Sequence, residues 1–266
     1  MLINGAPGSL ISIRDRGLLY GDGVFRTFRS SGGKPLHWPL HYAKLLHDCA
    51  ALGLSCPDLD LLTAELQSLL ADHADAVFKI IVTRGLADRG YAPSIRAAST
   101  HIWDVFPAPA YPDHPASLCV CSLRLGNQPR LAGIKHLNRL ENVLAARECA
   151  DFDEGLLLDA DGFVIEGVRS NLFLIMNDAL VTPDLSRCGV AGVQRERVMA
   201  HAASVGMKIE VRNVKLSELQ QAQGLFLTSS VFGLWPVARL GDTRWSDYAR
   251  AEKISDHLSN QAAMNA

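Results

Sequence analysis

Apolar positions along this chain switch repeatedly between two spacings, and the switches lay out its elements. Alternation or short unbroken apolar runs predict strands at residues 11–13, 24–29, 77–83, 101–106 and 118–123. Similar runs recur at 155–159, 163–167, 171–176, 179–182, 208–211, 224–227 and 235–238. Helical spacing separates them. Pro39 suits the first turn of a helix reaching about residue 52, with Leu40, Ala43, Leu46 and Ala50 as its apolar face. A leucine-rich helix opens at Pro57-Asp58 and runs to about residue 73. After Lys135, Leu137, Leu140 and Leu144 recur at i, i+3 and i+7 with Val143 beside them, which predicts a helix with a buried stripe. Gly192 precedes a helix to about residue 205, residues 216–222 form a short one, and a polar helix spans about 246–258.

Turn chemistry joins these pieces. Ala160-Asp161-Gly162 closes one hairpin and Asn177-Asp178 a second. Pro107, Pro109, Pro112 and Pro115 fall within nine residues and read as a linker. The expected division is a smaller domain over 1–110, a linker at 111–116 and a larger domain over 117–266 that carries Lys135. Strands mixed with helices and hairpins predict an α+β (mixed α/β) fold rather than a doubly wound sheet. Gly21-Asp22-Gly23 is not a dinucleotide fingerprint, because Arg26 stands where the third glycine belongs and a strand follows instead of a helix.

Composition narrows the classes further. The 266 residues are 48% hydrophobic and 20% charged with a formal net charge of −2, as in an ordinary soluble globular protein. No long run of one charge sign points to nucleic acid or an anionic membrane. No apolar stretch approaches the length of a membrane span, and the N-terminus lacks a basic region followed by an apolar core, so neither a membrane anchor nor a signal peptide is expected. Cys49, Cys56, Cys119, Cys121, Cys149 and Cys188 form no C-x-x-C pair. Cys119 and Cys121 would share one face of a strand, but a metal site needs two further ligands and none is evident. No metal, six reduced thiols and a cytoplasmic location are therefore expected.

Lys135 is the candidate for chemistry. A lysine fixed just before a packed helix can be kept partly desolvated, which lowers its pKa and frees its amine as a nucleophile. The plain alternative is a solvated lysine at a helix start.

The wording around Lys135 adds to this. G-I-K-H-L-N-R-L-E-N-V-L-A, from residue 133, resembles the lysine segment of the fold-type-IV pyridoxal-phosphate enzymes. The similarity recurs in order at residues 15–28, 79–91, 166–173 and 224–237. The resemblance implies the two-domain architecture of that family with the site between the domains, pyridoxal 5'-phosphate as cofactor, a small-molecule substrate and a homodimer. It implies that Lys135 holds the cofactor aldehyde covalently. Glu166, within V-I-E-G-x-x-S-N-L-F, would keep the pyridine nitrogen protonated. The backbone of Val193 and Gln194 at a helix start, with Ser230, would bind the phosphate. Lys44 lies in H-x-x-K where the family has H-x-x-R, so it keeps the charge of the phosphate-gripping arginine but not its fork. Arg89 and Tyr91 match a loop that holds the substrate carboxylate; Asn138 and Arg139 are near Lys135 with open roles. K-H-L-N-R-L-E and R-G-Y are most similar to the lyase branch, which converts 4-amino-4-deoxychorismate to 4-aminobenzoate and pyruvate for folate synthesis. An aminotransferase of D-amino or branched-chain acids shares the lysine, glutamate and phosphate cradle and is the alternative, and a non-catalytic relative is the third.

Overall fold

The computed structural model describes residues 1–87, 89–92, 98–177 and 179–264, with side chains as far as residue 259. The chain forms two compact units: Met1–Pro109 with Ile134–Asn138, and Ala110–Gly133 with the chain from Arg139 onward.

In the first unit the elements are β1 (Leu2–Ile3), β2 (Ala6–Pro7), α1 (Arg16–Tyr20), β3 (Gly23–Ser31), β4 (Lys34–Pro35), α2 (Trp38–Ala51), α3 (Leu59–Leu70), β5 (Ala76–Thr83) and β6 (Thr100–Pro107). The strands make one six-stranded sheet in the order β2-β1-β6-β5-β3-β4, antiparallel throughout. Its core gathers Val24, Phe28, Leu45, Leu62, Phe78, Ile80 and Trp103. Residues alternate across a strand, so Val24, Arg26 and Phe28 share one face of β3, and all three are buried. An arginine on a core face demands a partner, and α2 provides one, as described below.

Three expectations change here. Residues 11–13 are not a strand, and the short helix α1 follows them, capped by Asp15, whose carboxylate accepts the Gly17 N–H. On α2 the buried residues are Trp38, His41, Leu45, Asp48 and Cys49, while Leu40, Ala43, Leu46 and Ala50 face outward. The lysine segment was expected in the second domain but packs with the first unit. Its backbone pairs with β3 through a bridge between Val24 and His136, and Ile134 enters the first core.

The second unit contains β7 (Ala116–Leu125), α4 (Leu140–Glu148), β8 (Glu154–Asp159), β9 (Phe163–Gly167), β10 (Asn171–Met176), β11 (Ala179–Pro183), α5 (Val193–Ser204), β12 (Lys208–Arg212), β13 (Val214–Lys215), α6 (Leu216–Leu219), β14 (Gly224–Ser229), β15 (Gly233–Leu240), β16 (Thr243–Arg244) and α7 (Ala249–Met264). Its sheet runs β12-β11-β10-β14-β15-β7-β8-β9-β13, with β16 on β15. The pairs β11–β12, β15–β7 and β7–β8 are parallel and the others antiparallel, so the sheet is mixed. Strands β8 to β11 and β14 are buried along almost their whole length, which explains their near-continuous apolar runs. The turn expected at Asn177-Asp178 includes Asp178, which lies outside the described residues.

Two further expectations are corrected in this unit. The stripe after Lys135 is not buried: Leu140, Val143 and Leu144 are exposed, and Ala145 is the buried residue of α4. The cysteines are not all reduced thiols, because Cys119 and Cys149 are joined in a disulfide; Cys49, Cys56, Cys121 and Cys188 are free. Cys149 lies 30 residues from Cys119, at the end of a helix, so no local spacing links the two.

Candidate active site

In the first unit the peptide of Lys135 is held on both sides. Its carbonyl accepts the Phe25 N–H at 2.9 Å. Its own N–H donates to Asp48 Oδ2 at 3.0 Å. Two residues on, the Leu137 N–H donates to the Gly23 carbonyl at 2.9 Å. Gly23 is required here: a Cβ would stand 2.6 Å from the Val82 carbonyl and 2.7 Å from a Leu137 methyl. The Lys135 ammonium lies over the Phe25 ring, 4.8 Å from its centroid. With the backbone fixed at both polar groups, the side chain is launched from one defined position.

Asp48 is the hub of this arrangement, and the sequence reading missed it. Its carboxylate is fully buried and forms an ion pair with Arg26 Nη2. Lys44 Nζ is 3.9 Å from Asp48 Oδ1, and His47 Nδ1 is 3.1 Å from the same oxygen. Lys44 and Lys135 thus meet through one carboxylate. The clue in the sequence was Arg26 inside an apolar strand, since a buried cation requires a buried anion.

Arg89 and Tyr91 lie on an exposed loop of this unit. Arg16, buried and also missed, organises that loop. Its Nη1 donates to the Gly90 carbonyl at 2.9 Å and its Nη2 to the Tyr91 carbonyl at 2.8 Å. Its Nε donates to Asp22 Oδ2 at 2.7 Å. Arg84 holds both oxygens of Asp22, at 2.8 and 3.0 Å. Burial alone would raise the Asp22 carboxyl; the hydrogen bonds and charges of Arg84 and Arg16 outweigh it and hold the group below its ordinary value.

In the second unit Glu166 ends a buried strand. Its Oε2 accepts the Val190 N–H at 2.9 Å and Asn171 Nδ2 at 3.3 Å. Asn171 also donates to the Val190 carbonyl at 2.7 Å and accepts the Gly192 N–H at 3.1 Å. One amide side chain therefore ties Glu166 to the start of α5. Gly192 caps that helix, and the N–H groups of Val193, Gln194 and Arg195 have no intrahelical acceptor. The Gln194 side chain turns toward Arg197, accepting from it at 2.6 Å. Arg195 faces inward, donating to Thr182 Oγ1 and the Pro183 carbonyl at 3.2 and 3.1 Å. Across the β10–β14 pairing, Asn171 stands opposite Thr228. The Thr228 hydroxyl is buried and has no hydrogen-bond partner among the described residues. Ser230, half-buried, follows two residues later. Asn171 lay within the quoted S-N-L-F segment but was given no role; the unpartnered Thr228 hydroxyl could be recognised only from the structure.

Residues 23–240 match the family described as amino-transferase class IV. The chain belongs to the class IV aminotransferase family. Among family relatives, it is 34% identical over 242 residues to the aminodeoxychorismate lyase of Vibrio harveyi, covering 89% of each chain. It is 28% identical over 246 residues to the D-alanine aminotransferase of Bacillus licheniformis, covering 86% of this chain and 83% of that one. The crystal structure of 4-amino-4-deoxychorismate lyase from Pseudomonas aeruginosa is similar to it with a TM-score of 0.93 and 43% identity, covering 97% of this chain and 98% of that one. The mixed α+β architecture is thus that of the family.

Proposed function

We propose that this chain is a pyridoxal-phosphate-dependent lyase that converts 4-amino-4-deoxychorismate to 4-aminobenzoate and pyruvate, a step of folate biosynthesis. The geometric observation that carries the reaction class is the clamped peptide of Lys135. The choice of a lyase is supported by 34% and 43% identity to two lyases over almost their full lengths.

The residues fit the cofactor. It needs an amine, a buried carboxylate and an anion cradle. Lys135 offers the amine, and Glu166 the carboxylate, one of whose oxygens is fixed by the Val190 N–H and Asn171. The start of α5 offers N–H groups, and the buried, unpartnered Thr228 hydroxyl beside Asn171 suits a phosphate oxygen. In this reading Val193 and Gln194 bind phosphate through their backbone, and Ser230 and Thr228 through hydroxyls. Lys44 adds positive charge, shared with Asp48. Arg89 and Tyr91 hold the substrate carboxylate.

When bound, the cofactor supplies an electron sink conjugated to the substrate nitrogen. Lys135 Nζ takes the proton from the ring carbon that bears the amine. Glu166 keeps a proton at the pyridine nitrogen. The enolpyruvyl group leaves as the ring becomes aromatic, and aromatisation supplies much of the driving force. The protein's part is then to orient groups and move one proton.

The test is pyruvate release from aminodeoxychorismate with no 2-oxo acid added. Strict dependence on a 2-oxo acid, with an amino acid formed, overturns the lyase reading in favour of an aminotransferase, which the likeness to D-alanine aminotransferase supports. Borohydride reduction of the cofactor-loaded protein should leave the added mass on the peptide holding Lys135; mass on another lysine removes the assignment.

A homodimer belongs to the same proposal. Its support is the outward apolar positions Leu140, Val143 and Leu144 on α4 and Leu40 and Leu46 on α2, which a second copy would cover. Sedimentation at a monomer's mass would refute it. The proposed location is the cytoplasm, in keeping with four free cysteines; no helix among the described residues is long and apolar enough to cross a membrane.

A further inference from the structure

Three sulfur atoms lie together in the second unit, and none belongs to a residue assigned above. Cys119 and Cys121 stand two apart on β7, and Cys149 ends α4. Their Sγ atoms all lie within 4.8 Å of one another. Cys119 is bonded to Cys149, and Cys121 Sγ is 3.5 Å from Cys149 Sγ. Leu125, Ala145, Leu157 and Ile165 line the same small core. Gly155 on the neighbouring β8 leaves room for the cluster: a Cβ there would stand 2.7 Å from Cys121 Sγ and 2.8 Å from Cys149 Sγ.

The surroundings decide what such a cluster does. A thiophilic cation would need thiolates, and these would carry charge into an apolar shell. Burial, with Glu148 and Glu154 nearby and Arg124 opposing them, pushes the Cys121 thiol up to about 11. A disulfide beside a neutral thiol places no charge there at all. Exposure separates the three: Cys119 is half-buried, whereas Cys121 and Cys149 are buried. Cys119 is therefore the sulfur that an oxidant meets first.

We propose that Cys119, Cys121 and Cys149 form a hydroperoxide-sensitive thiol centre, in which Cys119 and Cys149 close a reversible disulfide and Cys121 is a reserve thiol that takes the place of Cys119 only when Cys119 is absent. The hydroperoxide transfers one oxygen to Cys119 sulfur, its O–O bond breaks and one water (or alcohol) leaves. Cys149 sulfur then attacks Cys119 sulfur; the S–S bond forms, the S–O bond breaks, and hydroxide leaves as water with the thiol proton. The two thiols are oxidised by two electrons and the peroxide is reduced by two. The bond ties both ends of the stretch between residues 119 and 149, which contains Lys135. The inference does not depend on the lyase reading, because its test uses no activity.

The experiment is peptide mapping by mass spectrometry of the full-length protein. It is reduced, treated with hydrogen peroxide, alkylated and digested without reductant. Wild type should yield one cross-linked peptide pair, Cys119 to Cys149, with Cys121 alkylated, and dithiothreitol should reverse it. Cys121→Ser should form the same link. Cys119→Ser should link Cys121 to Cys149 instead, about tenfold more slowly because that thiol is buried and protonated. Cys149→Ser should form no link and accumulate sulfinic acid at Cys119. Failure of the wild-type protein to form the link overturns the proposal, and that measurement needs no variant to fold. So does stoichiometric zinc or copper(I) retained by the reduced protein and blocking oxidation.

Discussion

Asp48 and Asp22 in the first unit and Glu166 and Glu154 in the second are held by different kinds of partner. In the first, Asp48 and Asp22 face guanidinium groups: Arg26 for one, Arg84 and Arg16 for the other. In the second, Glu166 and Glu154 accept hydrogen bonds from neutral donors. Glu166 takes the Val190 N–H and Asn171. Glu154 takes the Gly155 N–H and the Ser170 hydroxyl, with exposed Arg169 only 3.4 Å away at the rim. Each unit also holds the other kind: Asp159 in the second meets Arg187 at 2.6 Å, while in the first Asp15 accepts from the Gly17 N–H and the Thr83 hydroxyl, and Glu65 meets His101 and Trp103. A guanidinium fixes a carboxylate's charge as well as its position, which suits Asp48 as a permanent anchor for Lys135. The Val190 N–H and Asn171 place one oxygen of Glu166, which suits a residue proposed to sit against a protonated ring nitrogen.

Removing an anchor of the first kind should have the largest effect. Asp48→Ala strips the buried Arg26 of its carboxylate and the Lys135 N–H of its acceptor. Breaking a buried ion pair from one side costs about 3–5 kcal/mol, so urea denaturation should show a loss of that size. Asp48→Asn keeps an acceptor for Lys135 and should lose less. Equal stability of Asp48→Ala and wild type would mean that the pair does not organise this unit.

Removing an anchor of the second kind should cost less. Asn171→Leu is close in size but deletes the donor to Glu166 and the acceptor for Gly192. Loss of buried neutral hydrogen bonds costs about 1–3 kcal/mol. The same variant should bind pyridoxal phosphate more weakly in a fluorescence titration, because Glu166 and the start of α5 lose their shared tie. A loss as large as that of Asp48→Ala would erase the contrast between the two kinds of partner.

The contrast also explains what could be read in advance. Lys135, Glu166 and the start of α5 sit in contiguous motifs, so short stretches nominated them as candidates. Asp48 did not stand out, because its partners lie 22 residues before it and 87 residues after it in the chain. Periodicity on α2 pointed to the face of Leu40, Ala43, Leu46 and Ala50, yet the buried face carries His41 and Asp48. On α4 the leucine stripe is likewise exposed. Apolar spacing reports that a face is covered without saying by what, and a proposed second copy would cover both. Strands buried on two sides left no such ambiguity, which is why β8 to β11 were legible.

The smallest effects should come from the pH dependence of the two remaining carboxylates, and their signs should be opposite. Burial holds Glu154 above its ordinary value of 4.5, with Arg169, Gly155 and Ser170 offsetting only part of that. The folded state then binds this proton more tightly than the unfolded one, so stability falls as pH rises from 4.5 through the raised value. Glu154→Gln removes that loss: measured by denaturant, its stability relative to wild type should be greater at pH 7 than at pH 4.5. Asp22 is the reverse case, held below its ordinary 3.8 because Arg84 and Arg16 outweigh burial. Its contribution is complete above 3.8 and disappears as pH falls through the lowered value. Asp22→Asn should therefore be less stable than wild type at neutral pH, with the gap closing only in acid below 3.8. Asp22 is partly solvated, so screening keeps this effect the smallest, and added salt should shrink it further. If both variants shifted with pH in the same direction, burial would not dominate at Glu154 or the two guanidinium groups at Asp22.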